Sequence, residues 1–476
     1  MNSRAISAFA LGAALGLAGC SGLLEAGYHQ PPLPVTDAWP IPPSSTESGA
    51  AADIGWRDFY TDERLRKLIA QALASNRDLR VAMLDVEKAR ATYEVQRAAR
   101  LPEIDATGSL VRERPSATQF GLPAGTNTGV VQYYSAGVGV SGFELDLFGR
   151  VASLSHAALE QYFADSDARK AAQLSLIAEV ANAYLTLGAD IEHERLGAQT
   201  LESQEASYRL TDQRHALGAA SALELSQAKT TVESARADAA RYRGAVAVDR
   251  NALTLLVGAP LEADSLPDGF GAAISGAAPL PAGLPSSVLL RRPDVRQAEH
   301  VLRSADATIG AARAAFFPSI SLTGNVGSTS SELSGLFKSG TGTWSFLPQV
   351  NLPIFAGGRL RANLHGARAD RDIALARYEH AIQTAFREVA DALALTGTLR
   401  EQHEAQVALA EATGDAFKLS DARYKAGKDS YLTLLDAQRS DYAARQNLIS
   451  TRLAEESNRV TLYKVLGGGW REEPSR

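Results

Sequence analysis

The chain has 476 residues, one cysteine and a formal net charge of −6 at pH 7. A single cysteine excludes an internal disulfide, and an isoelectric point near 5.9 gives no basic surface for nucleic acid. The eight histidines are scattered, and the sequence contains no metal-ligand spacing, P-loop or nucleophile elbow. We therefore expect no enzyme activity, no catalytic residue, no metal and no bound cofactor.

The amino terminus, residues 1–19, has the layout of a signal peptide. Arg4 precedes an apolar run from Ile6 to Leu17, which is too short to span a bilayer. The sequence Leu17-Ala18-Gly19-Cys20 resembles a bacterial lipobox, which implies cleavage before Cys20 and covalent diacylglycerol and palmitoyl lipid on that residue. Ser21 follows the cysteine, which by the same resemblance favours the outer membrane. An ordinary secretory signal with a coincidental cysteine is the alternative.

Residues 20–62 are predicted to form a lipid-anchored, extended segment. Six prolines between positions 31 and 43 favour extended backbone and exclude a helix. From Glu63 to Arg100, apolar residues recur at steps of three and four, which predicts an amphipathic helix. Pro102 ends this pattern.

Two segments, at about 103–142 and about 318–354, alternate with period two and are predicted to be β-hairpins. In the first, Ile104, Ala106, Gly108 and Leu110 share one face. Strands of about ten residues with aromatic side chains near their ends are typical of transmembrane barrels. Four strands cannot close a barrel, and an open edge cannot lie in lipid. Other copies of the chain must supply the missing strands, in a number that the sequence leaves open. Two hairpins of a soluble sheet remain the alternative.

Each hairpin is followed by a very long helical pattern without proline, at 150–216 and 360–426. At 1.5 Å per residue such a helix reaches roughly 100 Å, which no compact core accommodates. A glycine turn then leads to a shorter helix, at 221–257 or 430–466. A Pro/Gly-rich linker, 259–292, separates the halves, a further helix opens the second half at Pro293, and residues 468–476 form a tail.

The second half of the chain repeats the first. A shift of 209 positions places Arg359 on Arg150 and Gly427 on Gly218, whereas upstream a shift of 216 places Pro318 on Pro102. The difference predicts one seven-residue insertion between Gly108 and Arg150, in a surface loop. Residues 63–258 and 293–467 are thus predicted to be two structurally equivalent repeats.

Three motifs carry a family resemblance: Leu289-Leu290-x-x-Pro293-Asp294-Val295, Arg423-Tyr424-x-x-Gly427, and Tyr431-Leu432-x-x-Leu435-Asp436. With them, the chain resembles the outer membrane factors, the TolC-like family, and especially its OprM-like lipoproteins. The resemblance covers nearly the whole mature chain. It implies a mixed α and membrane β fold: a homotrimer with a twelve-stranded outer-membrane β-barrel, continued by a twelve-helix periplasmic α-barrel, with an equatorial girdle from the linker and chain ends.

The same resemblance implies a function. The protein is expected to be the outer-membrane exit duct of a tripartite pump, passively exporting drugs or other small molecules. Its expected partners are two further copies of itself, outer-membrane lipid, a periplasmic adaptor (membrane fusion) protein and an inner-membrane RND-type transporter. Type I protein secretion, metal-ion efflux and a non-conducting envelope-spanning scaffold are the alternatives.

The turns between long and short helices are the expected periplasmic mouth. Gly218 and Gly427, with the following Ser221 and Ser430, are the expected adaptor-contact tips. Threefold symmetry turns an inward-facing residue there into a ring.

By resemblance, Asp436 is the constriction carboxylate and Leu432 the apolar constriction. Arg439, three residues after Asp436, is expected to pair with it along the helix or across chains. Tyr424 and Glu224 match positions where the family ties one helical hairpin to the other. The chain departs from the TolC pattern at two positions, Thr433 and Asp429. A solvated helical tip is the alternative for all these residues.

Overall fold

The computed structural model describes residues 28–37, 39, 54–121, 123–270 and 286–468. The predicted signal peptide and lipobox, including Cys20, lie outside the described residues. So do residues 271–285 of the linker and residues 469–476.

The described chain forms two compact units. The sheet unit contains Val86–Ala164, Ala298–Tyr378 and the segment that ends at Pro31. The helical unit contains Pro32–Asp85, Asp165–Gln297 and the chain from Glu379 onward.

Eight α-helices and four strands are described, besides short 3₁₀ turns. In chain order they are α1 (Trp56–Phe59), α2 (Glu63–Ser75), α3 (Arg77–Ala98), β1 (Asp105–Glu113), β2 (Val131–Leu145), α4 (Arg150–Ala216), α5 (Ala222–Val257), α6 (Pro293–Ala314), β3 (Ser319–Ser330), β4 (Gly342–Asn351), α7 (Arg359–Lys425) and α8 (Tyr431–Val465). The α4 and α7 helices each have 67 residues. Within the linker, Ala263–Ser265 and Ser286–Arg291 form 3₁₀ turns.

The single helix expected from Glu63 to Arg100 is instead two helices, α2 and α3, which meet at Asn76. The backbone of Asn76 is extended, with ψ 134°. Its side-chain oxygen accepts a hydrogen bond from the Leu79 N–H at 2.8 Å, and its amide donates to the Leu256 carbonyl at 2.8 Å. Asn76 therefore caps α3 and ties the junction to the end of α5.

The sheet unit is built on one antiparallel sheet in the order β1-β2-β3-β4. Asp105 lies opposite Gly139, Tyr134 opposite Ser330 and Ser319 opposite Asn351. Every residue of β4 is exposed, and all but one residue of β1. In the described part of a single chain, both edges of the sheet lack a partner strand.

Strand β2 has 15 residues and runs to Leu145, beyond the expected end of the hairpin at 142. A β-bulge between Val140 and Phe143 shifts the register against β3. Gly142 occupies the bulge with φ 66°, a left-handed conformation that favours glycine. Its N–H bonds to the Thr323 hydroxyl at 3.1 Å.

The core of the helical unit gathers around the middle of α4. Its largest fully buried side chains include Trp56, Tyr60, Leu65, Ile177, Leu187, Leu253 and Tyr463. The rings of Phe59 and Tyr463 stack with centroids 3.9 Å apart. Helix α4 contains a stretch apolar enough to cross a membrane, but 61% of that stretch is buried within the protein. Packing against its neighbours accounts for its apolar character.

The Leu-Leu-x-x-Pro-Asp-Val motif positions a buried cation. Arg292, 8% exposed, forms ion pairs with Asp294 at 2.7 Å and Glu388 at 2.8 Å. Its guanidinium also donates to the Val465 carbonyl at 2.9 Å. Because a desolvated guanidinium needs all of its donors satisfied, this motif fixes the start of α6 against α7 and the end of α8.

Candidate functional site at the helical turns

The first turn joins α4 to α5 through a left-handed glycine. Gly218 has φ 72°, and the Ala219 N–H returns to the Arg214 carbonyl at 2.7 Å, which closes the end of α4. Ser221 then caps α5. Its hydroxyl accepts from the Glu224 N–H at 3.1 Å, and the Glu224 carboxylate accepts from the Ser221 N–H at 2.8 Å. This reciprocal pair is a capping box.

The second turn, between α7 and α8, has the same backbone but a different side-chain bond. Gly427 also has φ 72°, and Ser430 accepts from the Thr433 N–H at 3.2 Å. Thr433 stands where a capping box has Glu or Gln, so the second half of the box is missing here. Instead Arg423 spans the turn and binds both carboxylate oxygens of Asp429, at 2.7 and 2.8 Å. Hydrogen bonding from Arg423 lowers the pKa of Asp429.

One polar contact links the two turns directly. The Arg214 guanidinium donates to the Tyr424 hydroxyl at 2.9 Å and lies 5.3 Å from the centre of its ring. A buried apolar cluster lies beside it: Ala228 on α5 and Tyr431, Leu434 and Leu435 on α8. Burial raises the pKa of Tyr431. The contact and the cluster hold the two hairpins of one chain together.

The two predicted tie residues therefore differ. Tyr424 does contact the other hairpin, through Arg214. Among the described residues of the single chain, Glu224 forms no hydrogen bond to the other hairpin, and one of its carboxylate oxygens accepts from the Ser221 N–H in the capping box of its own turn. It acts on the second hairpin only through its charge, which contributes to the raised pKa of Tyr431 after burial and the effect of Tyr424.

Arg214 was not among the residues singled out from the sequence. The internal repeat could have found it, because the 209-residue shift places Arg423 on Arg214 and Asp429 on Ala220. The first turn thus lacks the carboxylate that holds Arg423 in the second turn. Arg214 is left without that local partner and reaches Tyr424 instead.

The predicted constriction residues form one stripe on α8. Leu432, Asp436 and Arg439 are spaced four and three residues apart, which places them on one helical face. All three are exposed, Leu432 by 61%, whereas Leu434 and Leu435 are buried. Among the described residues, no ion pair within 4.0 Å joins Asp436 to Arg439. The expected pairing along the helix is therefore not formed within one chain, and the Asp436 carboxylate is exposed on the surface of that chain.

The described residues contain no group of three or more His, Cys, Asp or Glu side chains that could hold a metal ion. The chemistry that the turns offer is an exposed stripe of one apolar, one acidic and one basic side chain.

Comparison with known proteins assigns the chain to a family. The family model described as "Outer membrane efflux protein" matches residues 68–259 and 284–468. The probable efflux pump outer membrane protein TtgC of Pseudomonas putida is 48% identical over 475 residues, 99% of this chain and 96% of that protein. Outer membrane protein OprJ of Pseudomonas aeruginosa is 45% identical over 472 residues, 99% of this chain and 98% of that protein.

Solved structures agree. A membrane protein from Pseudomonas aeruginosa superimposes with a TM-score of 0.87 at 45% identity, over 94% of this chain and 97% of that one. The open-state MtrE outer membrane channel of Neisseria gonorrhoeae gives a TM-score of 0.85 at 40% identity, over 95% of this chain and 99% of that one. The predicted resemblance is confirmed: the chain belongs to the outer membrane efflux protein family.

Proposed function

We propose that this protein is the outer-membrane exit duct of a tripartite efflux pump, through which drugs or other small molecules leave the cell passively. Three copies form a twelve-stranded barrel in the outer membrane, continued by a helical tunnel in the periplasm. A periplasmic adaptor and an inner-membrane RND-type transporter complete the pump. The observation that carries the proposal is a membrane-type sheet with two unpartnered edges. It occurs in a chain matched over 99% of its length by efflux pump outer membrane proteins.

Structural equivalence of the two halves is part of the proposal, and the sheet supports it in detail. Arg112 lies opposite Gln132 with 19 residues between them, and Ser328 lies opposite Gly342 with 13 between them. The first loop is therefore six residues longer. The bulge in β2 adds a seventh, because two residues between Val140 and Phe143 face one residue on β3. The expected single insertion of seven residues is instead divided between a loop and a bulge.

The aperture follows from the turns. In a trimer, the exposed stripe of α8 supplies a ring of three Asp436 carboxylates and a ring of three Leu432 side chains, which select cations and narrow the mouth. The Arg214–Tyr424 contact holds the hairpins in the closed position. Opening is then a population shift in which adaptor binding outweighs that contact. Cys20 carries the lipid anchor, which adds membrane affinity but no pore.

Transport in cells tests the function. The gene is expressed with its adaptor and transporter in a strain that lacks its own outer-membrane efflux channel. Growth is then measured against dyes, detergents and antibiotics, and the purified protein is recorded in planar bilayers. We expect raised inhibitory concentrations and single-channel conductance. A protein that inserts but never conducts would be a scaffold, and restored protein secretion without drug resistance would favour type I export.

A further inference from the structure

The two outer edges of the sheet define an interaction surface whose partner is a second copy of this chain. Strand β1 pairs only with β2, and β4 pairs only with β3, within the described residues. Backbone donors and acceptors on an open edge cannot be satisfied by lipid. This inference rests on the proposed trimer and asks which residues of β4 meet which residues of β1 in the next copy.

The β2–β3 ladder provides the template. It joins the second strand of the first repeat to the first strand of the second repeat. In a closed ring, the β4–β1 contact between copies joins the second strand of the second repeat to the first strand of the first repeat in the next copy. If the repeats are equivalent, β4 takes the place of β2, and β1 takes the place of β3. The rung of Arg112 with Gln132 in the first hairpin corresponds to the rung of Ser328 with Gly342 in the second. This match fixes the number of positions by which β1 is shifted onto β3 and β2 onto β4.

We propose that β4 of one copy pairs with β1 of the next copy, antiparallel, with Val350 opposite Gly108, Leu352 opposite Ala106 and Ile354 opposite Ile104. These rungs correspond to three observed rungs of the template. They are Val140 opposite Gly324, Phe143 opposite Leu322 and Leu145 opposite Ile320.

The bulge provides an internal check on this register. Crossing the bulge displaces the β2–β3 pairing by one residue, between the rungs at Val140 and Phe143. The residue shift that maps β2 onto β4 also changes by one, between the match of Gln132 with Gly342 before the bulge and the match of Arg150 with Arg359 after it. The two changes cancel. The transferred rungs therefore follow one uninterrupted antiparallel register.

The two faces of the sheet also agree across the proposed contact. Apart from Arg112, even-numbered residues are apolar on both strands, and odd-numbered residues are mostly polar: Ile104, Ala106, Gly108, Leu110, Val350, Leu352 and Ile354 against Asp105, Thr107, Ser109, Ser345, Gln349 and Asn351. In the proposed register each even residue faces an even residue. A slip of one residue would place the apolar face of one strand beside the polar face of the other.

Exposure in the single chain matches the contact. Ile354 is 91% exposed and Ile104 is 68% exposed, although both lie just outside the strands as they stand. Pairing between copies extends β4 past Asn351 and β1 back before Asp105. The close glycine contacts of the template do not transfer, since Leu347 and Val111 replace Gly137 and Gly327. The strands between copies therefore keep ordinary side-chain separation.

Disulfide cross-linking tests the register. Val350→Cys is combined in turn with Ala106→Cys, Gly108→Cys and Leu110→Cys, and each purified protein is oxidised and run on non-reducing gels. Directly opposite residues lie within disulfide reach, whereas diagonal neighbours about 7–8 Å apart lie beyond it. Gly108 accepts a side chain, because a Cβ there meets only the Ser135 carbonyl oxygen at 4.0 Å. Cys20 is the sole native cysteine, so each single-substitution variant measures background.

Rungs alternate between narrow and wide spacing, so a second pair, Asn351→Cys with Thr107→Cys, samples the other type. We expect covalent dimers and trimers from at least one of the two matched pairs, and at least about fivefold less from the 350–106 and 350–110 pairs. A maximum at 106 or 110, or no cross-link from either matched pair in a trimeric particle, overturns the register. The mass of the unoxidised particle separates the two proposals, because a monomer would overturn the trimer itself.

Discussion

At the scale of single residues, Asp436 has the largest expected effect on transport, because its carboxylate is exposed in the single chain and no cation of the described residues lies within 4.0 Å of it. Asp436→Ala removes three charges from the proposed ring. We expect higher conductance and a cation-to-anion permeability ratio lower by a factor of about five, equivalent to about 1 kcal/mol. Reversal potentials in a salt gradient measure this ratio.

The matched control for Asp436 is Asp415→Ala. Asp415 is also an exposed acid of the helical unit, but it is paired with Lys418 at 3.1 Å. Its removal should leave selectivity unchanged. If the Asp436 variant has the conductance and selectivity of the wild type in matched salt, Asp436 does not line the constriction.

The Arg214–Tyr424 contact gives a second residue-scale prediction. Tyr424→Phe keeps the ring but removes the hydroxyl that accepts from Arg214. A hydrogen bond to a charged group contributes about 1.5–3 kcal/mol, so open events should become at least about tenfold more frequent in single-channel recordings. Tyr442→Phe is the control, because it removes a similar hydroxyl bond, to Asp238 at 3.3 Å, farther along α8. Equal effects of both substitutions would exclude a specific latch at Tyr424.

How far sequence reasoning reached at this scale depended on whether a residue acts locally. Gly218 and Gly427 were identifiable because a left-handed residue followed by a serine cap is a local requirement. The role of Arg214 depends on a tyrosine 210 positions away, which no local pattern encodes. In the single chain, one carboxylate oxygen of Glu224 serves the capping box of its own turn, and its role in tying the hairpins of the assembled protein stays a prediction.

At the scale of elements, the sheet depends on glycines that allow close approach of β2 and β3. A Cβ at Gly139 would lie 2.5 Å from the Gly324 carbonyl oxygen, and one at Gly327 would collide with the Ala136 carbonyl oxygen. Gly139→Ala should therefore disrupt the ladder and greatly reduce the yield of folded trimer on semi-native gels. Gly108→Ala is the control in the neighbouring strand, and its trimer yield should match the wild type. Normal assembly of the Gly139 variant would show that the strands can separate without cost.

A pair of acidic residues makes the helical unit sensitive to pH. Burial, then the neighbouring Asp249 carboxyl, raise the pKa of Asp190 to about 6, and one buried oxygen of Asp249 lacks a hydrogen-bond partner. The folded pKa lies above the unfolded value, so the pair stabilises the fold least when both groups are charged. Stability from this pair falls as the pH rises from about 4 through about 6.

Asp249→Asn tests this pair. The amide removes the repulsion and can donate a hydrogen bond to Asp190. We expect the variant to be more stable than the wild type at pH 7.5 by about 1 kcal/mol, after allowance for solvent screening, and nearly equal at pH 5. Thermal unfolding followed by circular dichroism measures the difference. Asp264→Asn, an exposed acid paired with Lys67, should show no such pH dependence. If the variant is more stable than the wild type by the same amount at both pH values, the raised pKa values of Asp190 and Asp249 are not the cause.

Element boundaries show what a sequence pattern can and cannot encode. The long helices were predictable because 67 residues without proline leave little alternative. The break at Asn76 was missed, because the apolar spacing continues through it, although Asn is a favoured capping residue and its side chain accepts from the Leu79 N–H. The bulge at Gly142 was missed for a similar reason: one extra residue in an alternating strand is visible only against the partner strand.

At the scale of the whole molecule, one chain supplies four strands and cannot enclose a pore. The repeat and the open sheet edges together account for assembly, since each copy presents one edge of β4 and one edge of β1. Family membership was predictable from motifs that lie at contacts fixed by the fold, such as Arg292 with Asp294 and Glu388. The number of copies was not predictable from strand physics, because eight and twelve strands both close a barrel.

The most direct test of this account is electron microscopy of the purified, lipidated protein in detergent, with particle mass measured on the same sample. We predict an elongated hollow particle with threefold symmetry and the mass of three chains. A compact monomer without a central channel would contradict it.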